Sequence, residues 1–144
     1  RGYKTSGINQ TQYQEFDEKF RIYGTETCNN IEFGLNHMKN KYNFKISTFY
    51  MHRDNPQLRL AHQYTSDPTS FDYATYNAEV AYHYGFEADF IMKFSKFLTI
   101  SESISILKTH VSEFKYRETI YGNRELSHSP NQKYTFVKPY CRNL

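Results

Sequence analysis

The stretch VAYHYGFEADFIM, residues 80–92, decides the fold class. Val80, Tyr82, Tyr84, Phe86, Ala88, Phe90 and Met92 take every second position, with Ala81, His83, Gly85, Glu87, Asp89 and Ile91 between them. Successive side chains of an extended chain point to opposite faces, so this period of two predicts a strand with one almost wholly apolar face. It outruns the usual strand of a soluble domain, about five or six residues. Such a length suits a tilted membrane strand.

Outward from this strand the same pattern recurs. In KYNFKISTFYMH (41–52), Tyr42, Phe44, Ile46, Thr48 and Tyr50 alternate with Asn43, Lys45 and Ser47. Leu98, Ile100, Ile104 and Ile106 alternate with Thr99, Ser101, Ser103 and Ser105, although Glu102 falls on the apolar side and calls for a bulge, a partner or another register. Shorter strands are expected over Ile31–Met38 and from Lys133 to Val137. The connections alternate in length. Turns at 39–41 and 94–96 are tight, whereas 54–77 and 109–131 are long, polar and marked by Asn55-Pro56, Asp67-Pro68, Ser70, Gly122 and Pro130. Residues 8–26 form another long connection, with a helical turn expected near Glu15–Phe20. Short and long connections in alternation are what an up-and-down barrel requires.

Composition agrees with a sheet that has one wet face. Only 38% of residues are hydrophobic, yet 18% are aromatic, with fourteen Tyr, twelve Phe and no Trp, a content that argues against disorder. The net charge of +3 is scattered, with no polybasic run to neutralise successive phosphates, so nucleic acid is not expected as a partner. No segment approaches the roughly 20 apolar residues of a membrane helix. Arg1 opens the chain without a methionine or a signal-type segment, as expected of a chain that begins inside a longer one. Cys28 and Cys141 fit neither a CxxC motif nor a dense disulfide framework, and whether they pair stays open.

The residues supply no catalytic constellation and no cofactor site. His52, His62, His83, His110 and His128 are dispersed without metal-ligand spacing. Glu87 and Asp89 read as one wetted strand face rather than an acid–base pair, and Ser101, Ser103 and Ser105 are strand-spaced without a nucleophile elbow. For ligand contact the candidates are Arg53, Arg59, His62, Tyr64, Tyr73 and Tyr76, basic and aromatic groups within or beside a long loop. On pattern alone a soluble antiparallel β-sandwich that binds carbohydrate or protein remains the alternative, and it requires a second sheet over the apolar face of 80–92.

Four segments in order resemble the late barrel of TonB-dependent outer-membrane receptors of the iron-complex type. Gly2-Tyr3-Lys4-Thr5-Ser6-Gly7-Ile8-Asn9 is similar to the family's GYKxGGxN segment, with Ser6 replacing a glycine. Asn30-Ile31-Glu32-Phe33-Gly34-Leu35 resembles N-Y-E-x-G-L, with Ile31 for tyrosine, and Tyr84-Gly85-Phe86-Glu87-Ala88-Asp89 resembles Y-G-x-E-x-E, with Asp89 for glutamate. Residues 122–130, GNRELSHSP, followed by Tyr134-Thr135-Phe136, resemble the G-x-E-L-x-x-x-P segment and the strand after it. The resemblance implies a barrel of about 22 strands with a plugged lumen, in the outer membrane of a Gram-negative bacterium. Such a receptor imports a ferric siderophore, haem, cobalamin or a similar ligand, with energy from a TonB complex acting through the plug.

The expected fold is therefore all-β, an antiparallel up-and-down transmembrane barrel segment of about five or six strands over residues 1–137. Asn43, Lys45, His83, Glu87 and Asp89 are expected to face the lumen, and the other parity to face outer-membrane lipid. Residues 138–144 carry no strand pattern and place Pro139 where a strand would continue, as a truncation or an altered reading frame would produce.

Overall fold

The computed structural model describes residues 1–10, 17–63, 67, 69, 71–95, 98–116, 119–127 and 129–137. Tyr64, Pro68, Ser70, Lys96, His128 and the tail 138–144, with Pro139 and Cys141, lie outside them. The chain is all-β. In order the strands are β1 (Gly2–Lys4), β2 (Gly7–Ile8), β3 (Ile22–Tyr23), β4 (Glu26–Met38), β5 (Tyr42–Asp54), β6 (Gln57–His62), β7 (Asp72–Asn77), β8 (Val80–Lys93), β9 (Thr99–Val111), β10 (Phe114–Tyr116), β11 (Thr119–Tyr121) and β12 (Gln132–Val137).

Six strands form the main sheet in the order β1-β4-β5-β8-β9-β12, and β2–β3, β6–β7 and β10–β11 form two-stranded sheets. The expected strands are thus present, and the long ones run further than their apolar alternation does. β4 begins at Glu26 rather than Ile31, and β9 reaches Val111. The expected long loops carry hairpins of their own. Asp17 starts a single 3-10 turn, Glu18–Phe20, by accepting from the Lys19 N–H at 3.1 Å; Glu15 and Phe16 of the expected helical turn lie outside the described residues.

The first of two compact units comprises Arg1–Asn29, His52–Tyr82 and His110–Arg124. Its core is small and aromatic. Ala74 and Tyr76, each 2% exposed, are packed against Phe20, Leu60, Phe114 and Tyr121. Phe20 and His62 meet the Tyr76 ring edge-on at 5.3 and 5.4 Å. The hairpin β6–β7 pairs from Gln57↔Asn77 to His62↔Asp72, and its ends are clamped by Asn55 N–H to Glu79 O (2.9 Å) and Ala78 N–H to Pro56 O (3.1 Å). Asn55 adopts a φ of 52°, a left-handed conformation that asparagine tolerates better than most residues.

The second unit comprises Asn30–Met51, His83–Thr109 and Glu125–Leu144. Here β9 and β12 pair without a break from Val137↔Ser101 to Gln132↔Ile106. Ile104 stands opposite Tyr134, while Ser103 faces Thr135 and Ser105 faces Lys133 on the other side. Glu102 lies opposite Phe136 in the same unbroken register, so no bulge removes it from the apolar row along this pairing. Cys28 on β4 carries a free thiol.

Candidate functional site

Two observations sort the side chains of the sheet into faces. A Cβ placed on Gly34 would lie 4.0 Å from the Ser47 Cβ, and one on Gly85 would press on the Phe49 ring. Gly34, Ser47, Phe49 and Gly85 therefore share one face. By strand alternation Asn43 and Lys45 of β5 stand there, with His83, Glu87 and Asp89 of β8. Five candidates taken from sequence thus share a single polar surface, with Lys45, Glu87 and Asp89 exposed on it.

The opposite face is apolar and uncovered. Ile31, Phe33 and Leu35 of β4 are 60%, 72% and 58% exposed, and Ile46, Tyr50, Tyr84, Phe86 and Phe90 are exposed as well. Ring contacts join neighbouring strands on this face: His37 stacks with Tyr42 and Phe44 at 5.7 and 5.4 Å, and Tyr82 with His110 at 5.0 Å. The second sheet that a soluble sandwich would need over 80–92 is not found among the described residues. An apolar surface of this kind has a favourable partner in lipid and none in water.

At the loop-side end of the strands, ahead of Ile31, a buried carboxylate ties four chain segments together. Glu26, 4% exposed, accepts from Arg53 through Nε (2.7 Å) and Nη2 (2.8 Å), and from the Gln57 backbone N–H (2.8 Å). Lys4, its partner across the ladder, adds an ammonium at 3.7 Å. Burial alone pushes this carboxyl above its usual range; the bonds from Arg53 and Gln57 and the two positive charges outweigh it and hold the group below. Nearby, Thr27 donates its hydroxyl to Asp54 at 3.2 Å.

Asn9 makes a second tie. It is 6% exposed, donates Nδ2 to Phe20 O (2.9 Å) and Thr75 O (2.8 Å), and accepts from the Thr75 N–H (2.8 Å). Its side chain thus acts as a short extra strand along β7. Sequence reading missed both Glu26 and Asn9. A polar residue just outside an alternating run carries no local mark of its distant partners.

The loop candidates separate into two groups. Arg59 lies with its guanidinium 4.6 Å from the Tyr73 ring centroid, and both line an open concavity of about 390 Å³ with Ile8, Tyr23, Asp72 and Thr75. Stacking on an aromatic face leaves the N–H edge of a guanidinium free to meet a planar oxygen pair. Arg53, His62 and Tyr76 belong to the scaffold instead. Arg53 is engaged by Glu26, His62 packs on Tyr76, and Tyr76 is the centre of the core rather than a surface ring. Among the described residues no group of His, Cys, Asp and Glu could hold a metal ion.

The model of the family described as TonB dependent receptor-like, beta-barrel, matches residues 1–140. Searches of curated proteins and of solved structures returned no match. The family match and the two-faced antiparallel sheet agree: the chain belongs to the β-barrel of TonB-dependent receptors, the outer-membrane transport receptors of Gram-negative bacteria.

Proposed function

We propose that the chain is part of the wall of an active-transport receptor that imports a ferric siderophore, haem, cobalamin or a similar ligand. TonB energises it through a plug domain encoded outside this sequence, and the chain itself catalyses no reaction. The observation that carries this reading is the opposition of an exposed apolar face to a polar face built from Asn43, Lys45, His83, Glu87 and Asp89. A barrel wall needs such an opposition, because lipid meets one side and a wet, plugged lumen the other. In this reading the tight turns lie on the periplasmic side and the hairpin-bearing connections outside the cell. Arg59 and Tyr73 are the contacts we assign to an anionic chelate, with Tyr64 a further candidate on the same loop.

The test is residue accessibility in outer membranes that contain the receptor. Tyr84→Cys is expected to react only with a bilayer-confined thiol reagent, and Glu87→Cys only with a water-soluble one. Aqueous labelling of both variants in a soluble fraction would sink the transporter reading. Ligand contact is read separately, as loss of chelate binding in Arg59→Gln with the labelling pattern intact.

A further inference from the structure

We infer that Asn9 is a positioning residue of the ligand concavity: it holds the β2–β3 hairpin against β7 and so sets the gap in which Arg59 and Tyr73 grip an anionic chelate. The inference deepens the proposed function and rests on its assignment of Arg59 and Tyr73. The two walls of the concavity belong to different hairpins. Ile8 and Tyr23 come from β2–β3, and Arg59 and Tyr73 from β6–β7. Among the described residues no backbone ladder joins them, since β2 pairs with β3 and β6 with β7 in separate two-stranded sheets. Side-chain amides set the gap instead.

At the concavity, Asn9 donates Nδ2 to Thr75 O (2.8 Å) and to Phe20 O (2.9 Å) and accepts from the Thr75 N–H (2.8 Å). Both Nδ2 protons are used and the residue is buried, so it acts on a ligand through what it mounts and not by its own polar atoms. At the far end of the hairpin, Asn77 accepts from the Gly24 N–H through Oδ1 (2.6 Å) and returns Nδ2 to Gly24 O (3.2 Å). The hairpin is braced within itself as well. Asn9 N–H bonds to Arg21 O (2.8 Å), Arg21 Nη1 donates to Asn9 O (3.2 Å), and Glu18 accepts from Arg21 Nε (3.0 Å). Asn9 is therefore the joint between a braced hairpin and the strand that carries Tyr73, two residues from Thr75. Without that joint Arg59 and Tyr73 form an open platform, the tyrosine 54% exposed even with the hairpin in place. A wall held in position before the ligand arrives spares the ordering cost that a loose wall imposes on binding. By linkage, a ligand that needs the joint closed also keeps it closed.

The experiment measures binding of ferric citrate, a ferric tris-catecholate and haemin to the receptor in outer membranes, together with amide exchange at Thr75 with and without the bound chelate. Asn9→Ala is expected to weaken binding by about tenfold, the factor carried by about 1.4 kcal/mol, and the chelate to slow Thr75 exchange in the wild type. Asn9→Asp keeps an acceptor for the Thr75 N–H but turns an oxygen toward Phe20 O and Thr75 O, and is expected to weaken binding in the same direction. Wild-type affinity in both variants overturns the inference, as does a Thr75 amide that does not respond to the chelate. Loss of the Tyr84→Cys labelling pattern in both variants makes Asn9 a residue of the fold alone and overturns it too. The reading beneath it fails differently: if the wild type binds none of the three chelates, or Arg59→Gln binds as the wild type does, the assignment of Arg59 and Tyr73 falls and this inference with it.

Discussion

Gly34 and Gly85 lie on the same face of the sheet, yet a methyl group would have opposite consequences at the two. At Gly85 an added Cβ falls 2.6 Å from Ile106 O and 2.7 Å from a Phe49 ring carbon; at Gly34 its nearest neighbour is Ile46 O, at an ordinary 3.7 Å. A backbone oxygen cannot swing away as a side-chain end can. Gly85→Ala is therefore expected to destabilise the folded barrel by about 1–3 kcal/mol, the usual penalty of overpacking, and Gly34→Ala to be nearly neutral, as read from the temperature at which heated samples lose their folded electrophoretic mobility. Glu26 gives a pH prediction at the same scale. Its carboxyl is held below its usual value of 4.5 in the folded chain. Its contribution is therefore complete above that value and is lost as pH falls through the depressed folded one. Hydrogen-exchange protection of the Gln57 amide should be flat from about pH 8 to 5 and fall at lower pH once intrinsic exchange is corrected for. Glu26→Gln should abolish that dependence, and an unchanged profile in this variant would refute the assignment.

Among the elements, β8 was legible because its alternation is unbroken from Val80 to Met92, and a buried or lipid-facing parity leaves just such a record. β6 and β7 were not. Their apolar residues are few, Pro56 precedes them, and β7 borrows its edge hydrogen bonds from Asn9, which lies 66 positions away in the chain. Tyr73 and Tyr76 looked equivalent in sequence, yet one ring is exposed under Arg59 and the other is buried, a difference set by Phe20, Phe114 and Tyr121 from other segments. Asn9→Ala removes the partners of the Thr75 N–H and C=O together. We expect a loss of about 1–3 kcal/mol in the local stability of β7, since buried backbone groups left unpaired are expensive. Amide exchange at Thr75 checks this, with Asn77, paired with Gln57 at the base of the hairpin and not bonded to Asn9, as reference.

For the whole chain, the order β1-β4-β5-β8-β9-β12 followed from the alternation of tight turns and long connections, so topology was as legible as the strands themselves. The sequence held less of the loop-side architecture, because contacts such as Glu26 with Arg53 join residues whose local patterns are unrelated. Produced alone in water, the 144 residues present the apolar row from Ile31 to Leu35 and a β12 edge whose six residues are all exposed. We expect self-association, with a large scattering mass by light scattering, that detergent micelles reverse; a monodisperse monomer in plain buffer would contradict the lipid-facing assignment. The clamp at the base of β6–β7 has a different kind of consequence. Asn55 to Glu79 and Ala78 to Pro56 hold the outgoing and returning strands side by side, and the intervening hairpin brings Leu60, Ala74 and Tyr76 to a core shared with Phe20, Phe114 and Tyr121. In evolutionary terms these are two ready crossover points. A recombination event that exchanges residues 57–77 can replace the hairpin while the spacing of the wall stays as it was, provided the incoming segment fills the same aromatic core.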